Sequence, residues 1–417
     1  MSKIANIVFY FPYKAAGGVS ELFLNVSEIL VNKYNVFIID FEDGYMAKNL
    51  KPNTKLITID QIDNLPKKDT IFVFQSIPIW NIIDFQNFDN NFKIILWNLH
   101  PNNLYPKIIS NITNSILKNI FAKSINWLSF LRIRKLKNTV DYLLENDSIF
   151  FMDGENINTT YNYLKIQNNK RPLLPVIIPE RQKVLNTLNN ETLVFAWIGR
   201  IADFKIHILI HLLERLNAIH FPKKVLFKVI GSGDEISFFQ NSIVNFTNLN
   251  IILLGECTKI EENEHLQDVN ILFAMGMSAL EGAARSIPTF ILDYSYKPIS
   301  KIYKFIYSYE NSEYNLGREI NASSYENICS LQKKINFVLN NYELVSQKNY
   351  EWWKLNYSNH IIYNKLELNL LDNAKATFGE IKKRKFNKAD KISIVIKKII
   401  SLFKNEANSR IAYFNQF

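Results

Sequence analysis

Residues 193–205 read LVFAWIGRIADFK, and this stretch decides the architecture. An apolar run of strand length stops at Gly199, and a helical pattern opens near Ile206 and continues to about Ile219. The same order recurs downstream in VLFKVIG (225–231), NIILLG (250–255), NILFAMG (270–276), a helix from about Ser278, and TFILD (289–293). Upstream lie NIVFYF (6–11), a helical pattern from Val19 to about Asn32, VFIID (36–40) and LITI (56–59), then IFVFQS (71–76), KIILWNLH (93–100) and SIFFMD (148–153). The proline-marked RPLLPVIIPE (171–180) separates the two series as a linker. Strands alternating with helices imply parallel sheets covered on both faces, and 417 residues exceed one ordinary core. The reading is α/β, with two Rossmann-like domains at 1–175 and 176–349 facing a cleft. A C-terminal helix at 350–378 returns to the first domain, and 379–417 forms a basic amphipathic tail.

Hydrophobic residues make up 47% of the chain and charged residues 21%, which is a globular composition. The net charge of +10 favours anionic partners but does not choose among them. Two cysteines, Cys257 and Cys329, make neither a disulfide framework nor a zinc constellation and fit a reducing cytoplasm. MSKIANIVFYF runs directly into a strand with no cleavable leader, and no stretch of about 18 apolar residues is present. From Asn90 to Val140 there are eight Lys or Arg and no acid. Within it Ile109, Ile112, Ile116 and Ile120 share a helical face. Residues 107–137, with Trp127, Phe130 and Leu131, read either as an interfacial helix on anionic lipid or as a helix packed on the first domain. KISIVIKKIISLFK (391–404) invites the same two readings. No nucleic-acid module accompanies the charge.

Ligands of open α/β sheets sit at the carboxyl ends of strands, so residues at those ends carry the functional argument. Arg200 and Lys205 fall at one strand end beside a helix start, where a planar fork and a point charge can hold a phosphate. Read by spacing alone they are equally two solvated cations. His100 ends a first-domain strand and suits proton transfer near neutral pH, or is a polar turn residue. Gly231 and Gly233 make a strand-to-helix turn. Ser278 and Glu281 have the spacing of a capping box. No D-x-D pair is present to hold a metal on a diphosphate.

Several segments together resemble the family-4 (group 1) glycosyltransferases of the GT-B fold. These are AAGGVSEL (15–22), the Gly199–Arg200 pair with Lys205, VIGSGDE (229–235), the run 251–276, and GMSALEGAARSIPTFILD (276–293). The resemblance extends to about residue 370. It implies transfer of a sugar from a nucleotide-diphosphate sugar to a glycan or polyprenyl-linked acceptor, with retention, in bacterial surface polysaccharide synthesis. Arg200 and Lys205 would stabilise the departing diphosphate and His100 would face the reacting sugar or acceptor. The donor would meet Gly17, Gly18, Gly199 and Gly231. Backbone N–H groups of Gly276, Met277, Ser278 and Ala279 would meet its oxygens, Cys257 and Thr258 would lie near the base, and Glu281 would take the ribose hydroxyls. The two cations stand where other glycosyltransferases need a metal, so no cofactor is expected. The protein would work in the cytoplasm, peripheral to the inner membrane face and attracted to its anionic surface. One position departs from the family: counting back from Glu281, its first glutamate falls on Phe273. That departure keeps two rivals open, a non-catalytic nucleotide-sugar-binding partner and a sugar-nucleotide epimerase on the same fold.

Overall fold

The computed structural model describes residues 4–15, 17–82, 85–101, 103–104, 130, 132–184, 188, 191–326, 331–367 and 373–388. The chain divides into two units, 1–176 with 362–417, and 177–361. In the first unit the order is β1 (Asn6–Tyr10), α1 (Gly18–Leu30), β2 (Asn35–Ile39), α2 (Tyr45–Lys48), β3 (Lys55–Ile57), β4 (Thr70–Gln75), β5 (Lys93–Asn98), α3 (132–145), β6 (Ile149–Phe151) and α4 (Gly154–Leu164). The sheet is parallel, in the order β3-β2-β1-β4-β5-β6. Its central strands are apolar at nearly every position because both faces are covered. Trp97 is fully buried, and its indole N–H donates to the Leu174 carbonyl at 2.9 Å, which satisfies the polar end of a large core side chain. α3 buries Leu136, Val140, Leu143 and Leu144 in this core, so the described part of 107–137 packs on the first unit. The rest of that stretch lies outside the described residues.

The second unit continues with β7 (Thr192–Ile198), α5 (Asp203–Asn217), β8 (Lys224–Ile230), α6 (Ile236–Ile243), β9 (Asn250–Gly255), α7 (Lys259–Leu266), β10 (Ile271–Ala274), α8 (Met277–Ala284), β11 (Thr289–Ile291), β12 (Ile306–Tyr307), α9 (Leu331–Asn340) and α10 (Tyr342–Tyr357). Its sheet runs β12-β11-β10-β7-β8-β9. Only β12 is antiparallel, a two-residue edge too short to leave a periodic signal in the sequence. α10 belongs to this unit. Its Asn349 is buried, donates to the Ile287 carbonyl and accepts from Ser308, while Trp353 and Tyr357 are buried alongside.

The chain re-enters the first unit at Ile362, inside α11 (Asn359–Lys365). Residues 350–361, which the sequence reading groups with the returning segment, therefore stay with the second unit. The return is made by α12 (Phe378–Lys383) and the residues before it. Ile94 N–H donates to Ala376 O and Phe378 N–H to Phe92 O, both at 3.0 Å. The Phe378 ring lies 4.6 Å from Phe85 and 5.0 Å from Phe88, and Ile381 is buried. Residues 379–388 are thus part of a core rather than of a free tail, while 391–404 lies outside the described residues.

Candidate active site

The second sheet starts in its middle. β8 and β9 extend from β7 to one side, and β10 and β11 extend to the other. β7 and β10 are neighbours in register, with Ile198 opposite Ala274. A strand order that reverses in this way opens a crevice at the carboxyl ends of the two central strands. The turns Gly199–Lys205 and Met275–Ser278, far apart in sequence, therefore flank one crevice.

Packing explains several glycines at once. A Cβ on Gly231, whose φ is +133°, would lie 2.2 Å from the Gly199 carbonyl oxygen, and one on Gly233 would lie 2.2 Å from that of Ile201. The β8 turn is pressed against the β7 turn, and Ile201 N–H donates to Ser232 O at 2.9 Å. Gly231 thus acts as a support behind Gly199. Lys205 stands in the first turn of α5, half-buried, with its ammonium 3.4 Å from where a Cβ on Gly199 would sit. Burial alone pulls its pKa down to about 8, and among the described residues no carboxylate pairs with it. Arg200 is exposed and likewise has no ion pair among the described residues. Two uncompensated cations at one strand tip, one of them partly desolvated, make a site that favours an anion.

α8 faces the crevice from the β10 side. Its N-cap is Gly276 at φ +64°, a left-handed conformation suited to glycine, and nothing lies within 4 Å of the place a Cβ would take. The Gly276 N–H donates to Leu316 O at 2.7 Å and the Ala279 N–H to Gly276 O at 3.1 Å. Of the four N–H groups expected to meet the donor, only those of Met277 and Ser278 remain for it. Because the helix starts at Met277, Ser278 is inside it, and the Ser278–Glu281 capping box does not form.

Glu281 is 5% exposed and is held by cations instead. Arg181 grips it with two parallel bonds, Nε to Oε2 and Nη2 to Oε1, each 2.8 Å. Arg285 donates to Oε2, and Lys259 Nζ lies 3.6 Å from Oε1. Burial pushes the carboxyl up, but the hydrogen bonds and charge of Arg181, with the charges of Lys259 and Arg285, outweigh it and hold the pKa at about 2. Phe273 is fully buried in β10 and stacks on Phe290 at 5.1 Å. Only Met275 and Gly276 separate β10 from α8, and Phe273 lies in the strand before that turn.

Cys257 and Thr258 follow β9. Thr258 caps α7 in a true capping box: its hydroxyl accepts from Glu261 N–H at 3.3 Å, and Glu261 Oε2 accepts from Thr258 N–H at 2.8 Å. The Cys257 thiol is partly buried, and burial, with Glu261 and Glu262 nearby, raises its pKa. In the first unit Gly17 caps α1 at the turn after β1, where the strand order also reverses, and Gly18 opens that helix. Gly17 is extended and a Cβ would make only ordinary contact with Tyr13, so the fold itself does not demand glycine there. His100 is half-buried beyond the tip of β5, its backbone N–H donating to the side-chain oxygen of the buried Asn98 at 3.3 Å. Among the described residues no group of three or more His, Cys, Asp or Glu could hold a metal ion, and no helix is long and apolar enough to cross a membrane.

No family model and no curated protein matches this sequence. Solved structures do. The Anabaena protein HepE, in complex with UDP and glucose, matches at a TM-score of 0.53 and 9% identity over 87% of this chain and 98% of its own. A glycosyltransferase from Rickettsia africae matches at 0.53 and 14% over 91% and 99%. The N-terminal domain of Candida albicans trehalose-6-phosphate phosphatase matches at 0.53 and 11% over 89% and 98%. The chain has the GT-B fold.

Within this GT-B fold, Arg181, Lys259 and Arg285 are the site residues that sequence reading misses. Arg285 lies four residues after Glu281, a helical ion-pair spacing that could have been read. Arg181 lies 100 positions away, at the end of the linker, and no local signal joins it to Glu281. The linker also ties down through Val184 N–H to Arg285 O at 2.8 Å and through the Lys183 ammonium over the Tyr350 ring.

Proposed function

We propose that this protein is a family-4-like glycosyltransferase that takes a sugar from a nucleotide-diphosphate donor and passes it to a hydroxyl of a glycan or polyprenyl-linked acceptor. The observation that carries the reading is the Lys205 ammonium, half-buried and without a carboxylate, beside Arg200 at the β7–β10 crevice. As the bond from the anomeric carbon to the diphosphate oxygen breaks, negative charge collects on the leaving group. Lys205 and Arg200 stabilise it, and the Met277 and Ser278 N–H groups add the positive end of α8. The acceptor oxygen bonds to the anomeric carbon and gives up its proton, with His100 as the candidate base. Glu281 accepts a ribose hydroxyl beside its arginine bonds, because a carboxylate offers about four acceptor sites. Donor-sugar orientation falls to groups other than a glutamate of the β10–α8 turn, since Phe273 occupies the core. The UDP and glucose named in the HepE complex make UDP-glucose the first donor to try.

The test is calorimetric titration of UDP together with release of UDP from UDP-glucose. Arg200→Ala and Lys205→Ala should each lose about 2–4 kcal/mol of transition-state stabilisation. EDTA should leave transfer intact, because the two cations supply the charge a metal would bring. Undiminished turnover in both variants refutes the clamp, and activity lost to EDTA and restored by Mn²⁺ refutes metal independence. UDP binding without turnover on any acceptor identifies the protein as a binding partner rather than an enzyme.

A further inference from the structure

A separate recess of about 220 Å3 opens at the carboxyl end of β11, walled by β11, β12 and the loop that follows. Two carboxylates line it, and both are already engaged. Asp293 accepts from Arg318 N–H at 3.0 Å and from the Ser324 hydroxyl at 3.2 Å. Glu310 accepts from Tyr307 N–H at 3.0 Å and from Lys334 Nζ at 2.6 Å. Both bonds to Glu310 go to Oε2, and beside its Oε1 what the recess has left over is donors. Lys304 is exposed and lines it, and its ammonium has no hydrogen bond or ion pair among the described residues. Asn311 accepts from Ser312 N–H through its own carbonyl at 2.9 Å, but its amide nitrogen is buried with no partner among the described residues. Arg318 gives one Nη to the Ser323 hydroxyl at 3.0 Å and sets its Nε 3.8 Å from Asp293 Oδ2, which leaves the rest of its five N–H donors. A buried donor without an acceptor is unfavourable, so an oxygen brought to it is favoured. The charged lining is balanced, Lys304 and Arg318 against Asp293 and Glu310, but Arg318 lies 3.8 Å from Asp293 and Lys334, outside the lining, holds Glu310, which leaves the charge of Lys304 unmatched.

We propose that this recess binds a compact, oxygen-rich anion, a phosphate or carboxylate group carried on a sugar. Lys304 meets its charge, the Asn311 amide and Arg318 meet its oxygens, and the hydroxyls of the loop meet those of the ring. The site is distinct from the crevice between β7 and β10, yet it adjoins it. Gly317 lines the recess, and the neighbouring Leu316 carbonyl holds the Gly276 N–H at the start of α8.

Titration of the full chain by calorimetry tests this directly, with inorganic phosphate, glucose 6-phosphate, glucuronate and neutral glucose as the probes. Saturable binding of glucose 6-phosphate or glucuronate is expected, and none of glucose. Lys304→Met and Asn311→Ala should each weaken it about tenfold or more, the worth of one charged or buried donor. Lys205→Ala should leave this binding intact while weakening UDP. Inorganic phosphate binding as tightly as glucose 6-phosphate places recognition in the phosphate, and tighter glucuronate places it in a carboxylate. The proposal is overturned if no anion saturates, if both recess variants bind as well as the natural protein, or if Lys205→Ala abolishes the binding. Should Asn311→Ala fail to fold, the exposed Lys304 still decides the question. Failure of UDP to bind leaves this test standing, since it reads the anion alone.

Discussion

Lys205→Met should make the unliganded protein more stable and its nucleotide binding weaker. Burial moves the Lys205 pKa from 10.5 to about 8 with no anion nearby to offset it. At face value that shift is worth about 3 kcal/mol, and the side chain's remaining contact with water reduces it to about 1–2 kcal/mol. The unfolded chain binds its proton more tightly, so the cost is fully present below pH 8 and is relieved as pH rises from about 8 towards 10.5. Methionine fills similar space without the charge, so urea unfolding at pH 7 should show the variant ahead by about 1–2 kcal/mol. The gap should narrow across pH 8 to 10.5. A bound diphosphate turns the same ammonium into an asset, and losing it should cost about 2–3 kcal/mol of UDP affinity, roughly 30- to 150-fold. Arg200→Ala, by contrast, should weaken UDP without moving stability by more than about 0.5 kcal/mol, because Arg200 is exposed. A Lys205→Met protein that is less stable and binds UDP normally would refute the argument, and would make Lys205 a structural side chain.

Glu281→Gln should lower the melting temperature markedly, because it leaves Arg181 and Arg285 without their counter-charge, a loss of about 3 kcal/mol. The carboxyl's pKa is held at about 2, below its ordinary 4.5, so its contribution is present above pH 4.5 and is lost as pH falls towards 2. An unchanged melting temperature, or a variant with the same acid sensitivity as the natural protein, would remove the carboxylate from the structural network. Ser278→Ala should leave stability unchanged, whereas Thr258→Ala should cost about 1 kcal/mol, since only Thr258 caps a helix; the reverse order in urea unfolding would restore the capping role to Ser278. If 391–404 is a membrane-binding segment, truncation after Lys388 should reduce binding to anionic vesicles, keep Phe378 and Ile381 in the first core, and leave the melting temperature unchanged. Equal binding to neutral vesicles would make the basic surface merely solvated.

The sequence by itself was enough for the two series of strands and helices and for the place of Arg200 and Lys205. Apolar runs ending in glycine are local signals, and the carboxyl end of a strand is where an α/β sheet puts its ligands. It was also enough to mark Glu281, but of the two roles it offered the capping box does not form, and the arginines that hold the carboxylate were not foreseen. Ser278–Glu281 and Thr258–Glu261 have the same S/T-x-x-E spacing, yet only the second forms a capping box. What decides between them is the backbone: Gly276 turns left-handed and starts α8 so early that Ser278 is already inside it. The partner of Glu281 is non-local by 100 residues, and only the folded linker brings Arg181 to it. Likewise Phe273 is a missing glutamate when positions are counted, but in the sheet it is a core residue of β10 stacked on Phe290. Strand order is the deepest of these differences. The reversal between β7 and β10, which sets two distant turns side by side, is a choice of neighbours made by burial of whole strands, and no pattern within either segment encodes it.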